Sequence, residues 1–193
     1  MERILAEVRA ALHALPESGA PRIVALDGRC AAGKTTLAAR LQQRTGCNVV
    51  HMDDFFLRPA QRTEARLRQP GGNVDRERFL AEVLRPLRRG EGCTYRPYDC
   101  RTQGWKPPVH IDPAPLTIIE GAYSCHPDLW DLYDLHLFLT VSPDEQLRRI
   151  RARNGADGLE MFQNRWIPLE EAYFQAFSIE KRCEYRFSSD ETE

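Results

Sequence analysis

Apolar residues recur along this chain with two different periods. Ile4, Leu5, Val8, Leu12 and Leu15 fall at helical spacing, and Pro16 stops the pattern. Residues 22–28 (RIVALDG) form a short apolar run ended by glycine, which predicts a buried strand. Leu37, Ala38 and Leu41 then share one face over 35–44, a helix closed near Gly46. Residues 48–54 (NVVHMDD), 115–121 (PLTIIEG) and 135–141 (LHLFLTV) predict three further strands. These runs are continuous rather than alternating, as expected of a parallel sheet covered on both faces. A charged helix over 144–154 follows the fourth strand, with Asp144 and Glu145 suited to its N-terminus. A longer helical stretch over 159–177 is expected to break near Pro168, and 184–189 predicts a fifth strand. Strand and helix alternate, so the expected architecture is a three-layer α/β fold with a mainly parallel five-stranded sheet.

Residues 57–114 follow neither period. They are rich in proline and arginine, contain Gly71-Gly72, and hold one predicted helix over 75–90. This stretch reads as an insertion carrying substrate contacts within a single domain spanning 1–193. No repeat or low-complexity tract divides the chain.

Composition narrows the function classes. The 193 residues carry a net charge of −1, which argues against a dedicated nucleic-acid binder. The six cysteines show no metal-like spacing and read as reduced thiols of a cytoplasmic protein. The longest run free of Asp, Glu, Lys and Arg is nine residues, too short to span a membrane. Among 27 basic residues only Lys34, Lys106 and Lys181 are lysine.

One of those lysines closes a motif. Gly28, Arg29, Cys30, Ala31, Ala32, Gly33, Lys34 and Thr35 satisfy G-x-x-x-x-G-K-[ST], between a predicted strand and a predicted helix, and Thr36 continues into that helix. Such a loop turns backbone N–H groups onto phosphate oxygens, and the helix N-terminus adds partial positive charge. Lys34 supplies a flexible point charge to the outer phosphates, and Thr35 offers its hydroxyl to Mg²⁺. A nucleoside triphosphate, ATP or GTP, with Mg²⁺ is therefore the expected ligand, and this loop alone leaves kinase, ATPase and GTPase open. Asp53 and Asp54 lie where the second strand ends, the edge at which open α/β sheets bind ligands. Alternation predicts that the two carboxylates point to opposite sides.

The chain resembles the uridine kinase-like group of P-loop kinases, which includes nicotinamide riboside kinases and has phosphoribulokinase and pantothenate kinase as relatives. The matching pieces are GRCAAGKTT, MDDFF, VDRERFLAEVLRPLRRGE, YRPYD, IIEGAYSCHPDLWDLYDLHLFL and LRRIRARN. The resemblance implies that Asp53 is the general base and that Glu120 lies near Mg²⁺. It implies that Tyr98 helps hold the acceptor, and Arg101 is grouped with it. Arg149 and Arg153, four apart on one face of a lid over 144–160, are expected to meet the transferring phosphoryl. The implied activity is transfer of a phosphoryl group to a small alcohol, first the 5′-hydroxyl of a uridine-like nucleoside. Nicotinamide riboside, pantothenate or a sugar are alternatives, and a homo-oligomer is left open. The rival class is an ATPase or nucleotide switch without a small acceptor. His51 and His126, together with Trp105, Trp130 and Trp166, are expected to be structural.

Overall fold

The computed structural model describes residues 1–16 and 19–191; residues 17, 18, 192 and 193 of the expected single domain lie outside that part. The chain runs through α1 (Glu2–Ala14), β1 (Arg22–Gly28), α2 (Lys34–Thr45) and β2 (Asn48–His51). A 3-10 turn (Met52–Phe55) leads into the insertion, which holds α3 (Glu64–Leu67) and a longer helix. That helix begins as α4 (Arg76–Phe79), widens into a π turn (Leu80–Leu84) and ends as α5 (Arg85–Arg88). Four short strands follow: β3 (Cys93–Tyr95), β4 (Tyr98–Asp99), β5 (Gly104–Trp105) and β6 (Val109–Ile111). The chain then forms β7 (Leu116–Glu120), α6 (Pro127–Trp130), β8 (Leu135–Thr140) and α7 (Pro143–Met161). A second π turn (Phe162–Trp166) joins α7 to α8 (Ile167–Phe177), before α9 (Ile179–Arg182) and β9 (Tyr185–Ser188).

Among the described residues the central sheet has five strands in the order β2-β7-β1-β8-β9, and every neighbouring pair is parallel. Alternation within β1 explains its unbroken apolar run. Ile23 and Ala25 pack with Phe55, Phe79 and Phe138 on one face, while Val24 and Leu26 pack with α1 and α2 on the other. The insertion is tied by separate two-stranded ladders, β3 with β6 and β4 with β5.

Three local outcomes differ from expectation, each for a physical reason. The second strand ends at His51 rather than 54, because Met52–Phe55 coil into the 3-10 turn. The helix around Pro168 is not broken; it opens into the π turn over Phe162–Trp166. The turn over Leu80–Leu84 likewise precedes Pro86. A proline removes one N–H and crowds the carbonyl four residues back, and a widened turn relieves both. α7 is longer than expected but kinks at Gly155 (φ 73°, ψ −172°), next to its expected end.

Candidate functional site

Parallel strands bring their carboxyl ends to one edge, and the site is built there. β1 ends at Gly28, where φ is 136° and a Cβ would lie 2.0 Å from the Leu139 carbonyl oxygen. Only glycine fits, and the chain turns there into the phosphate loop. The first helical bond of α2 runs from the Leu37 N–H to the Gly33 carbonyl. The N–H groups of Lys34, Thr35 and Thr36 precede it, so they have no intrahelical acceptor and form an anion-seeking end.

A cleft of about 660 Å³ opens above this loop. Cys30 through Thr36 line it, with Asp53, Glu120, Arg149 and Arg153. Another hollow, of about 730 Å³, lies against α1 and the start of β7 and holds none of the phosphate-loop residues. The larger volume is thus remote from the chemistry.

Lys34 is buried, and its Nζ donates to the carbonyls of Gly28 (2.6 Å) and Arg29 (2.9 Å). Thr35 Oγ1 donates to Glu120 Oε1 and Oε2 at 3.1 and 3.3 Å. In β7, Glu120 stands in register with Leu26 of β1 and His51 of β2. His51 Nδ1 meets Glu120 Oε1 at 2.5 Å, and that bond raises the imidazole pKa. His51 therefore touches the site, whereas His126 is buried with its Nδ1 accepting the Asp128 N–H, as a structural residue would. A hydroxyl and a carboxylate are hard oxygen donors that fit Mg²⁺, whose remaining positions are filled by phosphates and water. Among the described residues no group of three His, Cys, Asp or Glu converges as an all-protein cage.

Asp53 and Asp54 are directed apart by the 3-10 turn, not by strand alternation. Asp53 lines the cleft; Gly121 makes room for it, since a Cβ there would lie 2.9 Å from Met52 Cβ and 3.5 Å from Asp53 Oδ1. Asp54 instead accepts from the Tyr95 hydroxyl at 3.2 Å, and its carbonyl accepts from Arg78 at 3.0 Å. Asp53 is open to water in the cleft but walled by protein elsewhere. That enclosure raises its pKa, Lys34 pulls it back, and Glu120 raises it again.

The lid arginines also separate. Arg149 donates to the Ala31 carbonyl (3.2 Å), Ser189 Oγ (2.8 Å) and Glu145 (2.7 Å), and lies against the phosphate loop. Arg153 borders the cleft and stands 5.6 Å from the Phe162 ring centre. Arg148 is exposed and, among the described residues, pairs with Glu145.

Other expected residues stand apart from the cleft. Arg29 turns its side chain away, bonding Glu171 (2.7 Å), Thr140 (2.7 Å) and Glu180 (3.2 Å); its N–H is taken by the Leu139 carbonyl. Two carboxylates of α8 and α9 outcompete the phosphate site for that guanidinium. Tyr98 is buried edge-on to Trp105, with ring centres 5.6 Å apart, and Arg101 is exposed beyond β4; neither lines the cleft.

Several site residues carried no signal in the sequence. Asp27 is fully buried at the root of the loop. It accepts from the N–H groups of Gly28 (2.7 Å), Tyr123 (3.2 Å) and Cys125 (2.9 Å) and from the Tyr173 hydroxyl (2.8 Å). Glu170 accepts the Cys30 N–H at 2.9 Å; burial raises its pKa, while Lys34 pulls it down. Trp166, expected to be packing, forms a wall with Phe56, 6.2 Å between ring centres. Trp105 and Trp130 do lie off the cleft.

No family model matches the chain. Uridine kinase-like protein 3 of Arabidopsis thaliana is 26% identical over 143 residues, 69% of this chain and 30% of that protein. The chain thus matches less than a third of that relative's length. Among solved structures, a protein from Bacillus stearothermophilus described as a possible uridine kinase superposes with a TM-score of 0.74 at 21% identity. The match covers 97% of this chain and 100% of that one. A Silicibacter protein assigned provisionally as a fructose transport system kinase gives a TM-score of 0.68 at 21% identity, covering 95% and 98%. The five-stranded parallel sheet, its phosphate loop and these superpositions define a kinase-like P-loop fold. Within that class, the chain has the fold of the uridine kinase-like P-loop kinases.

Proposed function

We propose that the protein is an ATP-dependent kinase that transfers the γ-phosphoryl group to a hydroxyl of a small metabolite, with the 5′-hydroxyl of a uridine-like nucleoside as the first choice. The observation that carries this reading is Asp53, which faces the same cleft as Lys34, Thr35 and Glu120. A plain ATPase would turn such a carboxylate on water, so dependence of turnover on an added alcohol is what separates the two classes.

The residues divide the work as phosphoryl transfer requires, by positioning and charge neutralisation. The α2 N-terminus and Lys34 hold the phosphates, Lys34 leaving the Gly28 and Arg29 carbonyls for them. Mg²⁺, held through Thr35 and Glu120, would neutralise charge on the β- and γ-phosphates. Asp53 orients the acceptor hydroxyl. As the acceptor oxygen bonds to phosphorus and the bond to the leaving oxygen breaks, the hydroxyl proton passes to an Asp53 carboxylate oxygen. Arg149 and Arg153 border the cleft where charge spreads over the transferring group.

The aromatic wall of Phe56 and Trp166 favours an acceptor with a flat or apolar face, which suits a nucleoside. The neighbour assigned provisionally as a fructose transport system kinase keeps a sugar as the second reading. A coupled ADP-release assay with uridine, nicotinamide riboside, pantothenate and D-fructose separates them. Release that depends on one added alcohol supports the kinase; release indifferent to all four would leave the ATPase class.

A further inference from the structure

The cleft that Asp53 lines is also lined by two polar side chains from different parts of the chain. Tyr123 follows β7, and its φ of 72° is left-handed, an unusual state for a bulky residue. The fold holds it there: Asp27 accepts the N–H groups on both sides of the bend, from Tyr123 and Cys125. The Tyr173 ring lies 5.0 Å from the Tyr123 ring, and its hydroxyl ends on the same Asp27. Maintained backbone strain of this kind is a feature of ligand sites. Here it sets Tyr123, almost fully buried, in the lining of the cleft.

Asn73 reaches the same place from the insertion. The Leu57 N–H donates to the Asn73 carbonyl (3.1 Å), the Asp75 N–H donates to the Phe55 carbonyl (2.6 Å), and Phe56 bridges Val74. Asn73 is thereby stitched to the segment that leaves Asp53. Its side chain is 9% exposed, lines the cleft, and lies within hydrogen-bonding reach of the Tyr123 hydroxyl. Its amide nitrogen has no well-formed hydrogen bond among the described residues. An amide nitrogen carries two donors, so even with the Tyr123 hydroxyl in reach one is left at the cleft for a group that arrives with the ligand.

Resting on the kinase reading above, we infer that Asn73 and Tyr123 form an acceptor-selecting pair that holds a second oxygen of the acceptor, close to the hydroxyl presented to Asp53. The amide and the phenol each both donate and accept, which matches a hydroxyl, a group that does both at once, whereas an ionised phosphate or carboxylate only accepts. The acceptor is then a compound with at least two hydroxyls, one phosphorylated and one read.

The test uses Tyr123→Phe, which removes a single oxygen and keeps the ring, and Asn73→Ala. Uridine with its 2′- and 3′-deoxy forms, and D-fructose with its deoxy forms, serve as acceptors in the ADP-release assay. Each variant is expected to raise the acceptor KM about 5–10-fold, the worth of one hydrogen bond. ATP KM should move less than about twofold. The wild type should discriminate between an acceptor and one of its deoxy forms, and both variants should lose that discrimination. A merely structural role would lower the melting temperature, or move both KM values together, and leave the discrimination intact. Retained discrimination in Tyr123→Phe overturns the assignment, even if Asn73→Ala proves unstable. A wild type indifferent to every acceptor overturns the kinase reading and this pair with it; an acceptor-dependent wild type with unmoved variants overturns the pair alone.

Discussion

Asp53 and Asp54 are neighbours in sequence with different surroundings, and the difference makes a direct test. Asp53→Asn is expected to leave ATP affinity within a few-fold and to cut transfer by roughly 10²–10⁴, the range of acid–base catalysis. Asp54→Asn, which loosens a bond to Tyr95 outside the cleft, should cost far less. Steady-state kinetics of the two variants decide it; a crippled Asp54→Asn beside an active Asp53→Asn would reverse the choice of base. The pH profile adds a second measure. Lys34 pulls Asp53 towards the ionised form, but in the nucleotide-free protein the surrounding wall of the cleft outweighs it. A raised pKa means the base keeps its proton to a higher pH than an ordinary aspartate. The acid limb of kcat/KM should therefore fall as pH drops through a value above the usual 3.8, and Asp53→Asn should lack that limb.

At the scale of elements, α7 and the loop after α3 each carry a prediction. Only one of the adjacent arginines of α7 bonds the phosphate loop, so Arg149→Ala should slow transfer well beyond Arg148→Ala, with equal effects counting against the assigned face. Arg66 latches the insertion: its guanidinium donates to the carbonyls of Gly72 (2.9 Å) and Val74 (2.8 Å) and pairs with Glu77 (2.6 Å). Arg66→Ala strands those carbonyls and should destabilise the protein by about 2–3 kcal/mol. That corresponds to a fall of roughly 5–10 °C in Tm. Arg66→Lys should recover little, because one ammonium does not span the fork. Arg66 also holds Glu77 at a pKa of about 2, below its ordinary 4.5. That contribution is complete above 4.5 and disappears as pH falls towards 2, though Glu77's exposure makes it small. The central elements were legible because a strand buried on both faces leaves an apolar run, and helices leave a period. Of the insertion the helix over 75–90 was legible, but the two- and three-residue strands interrupted by Pro97, Pro107 and Pro108 leave no period to read. The phosphate loop was legible because its chemistry demands a fixed spacing. Asp27, Asn73, Tyr123 and Glu170 act through contacts between distant segments, and spacing carries no trace of those.

For the whole molecule, a nucleotide that binds only the folded state must stabilise it by mass action. At about a hundred times its Kd, MgATP should add about 2.7 kcal/mol. For a chain of this size that is roughly 5–10 °C in Tm, and Lys34→Ala should lose most of it; calorimetry with and without MgATP reads the difference. No described helix is long and apolar enough to cross a membrane. The segment between β2 and β7 has a further consequence in polymer terms. Its flanking strands are hydrogen-bonded neighbours, so the excursion is a loop pinned to a rigid seam. The entropy of closing such a loop grows only logarithmically, by roughly 0.6 kcal/mol for each doubling of length. Outside the stretches that pack in the core, such as 79–87, residues can be gained there at little closure penalty. The turn at Gly28, where not even a methyl group fits, has no such slack. On the kinase reading proposed above, proteins of this fold should vary in their acceptors long before they vary in how they hold the donor.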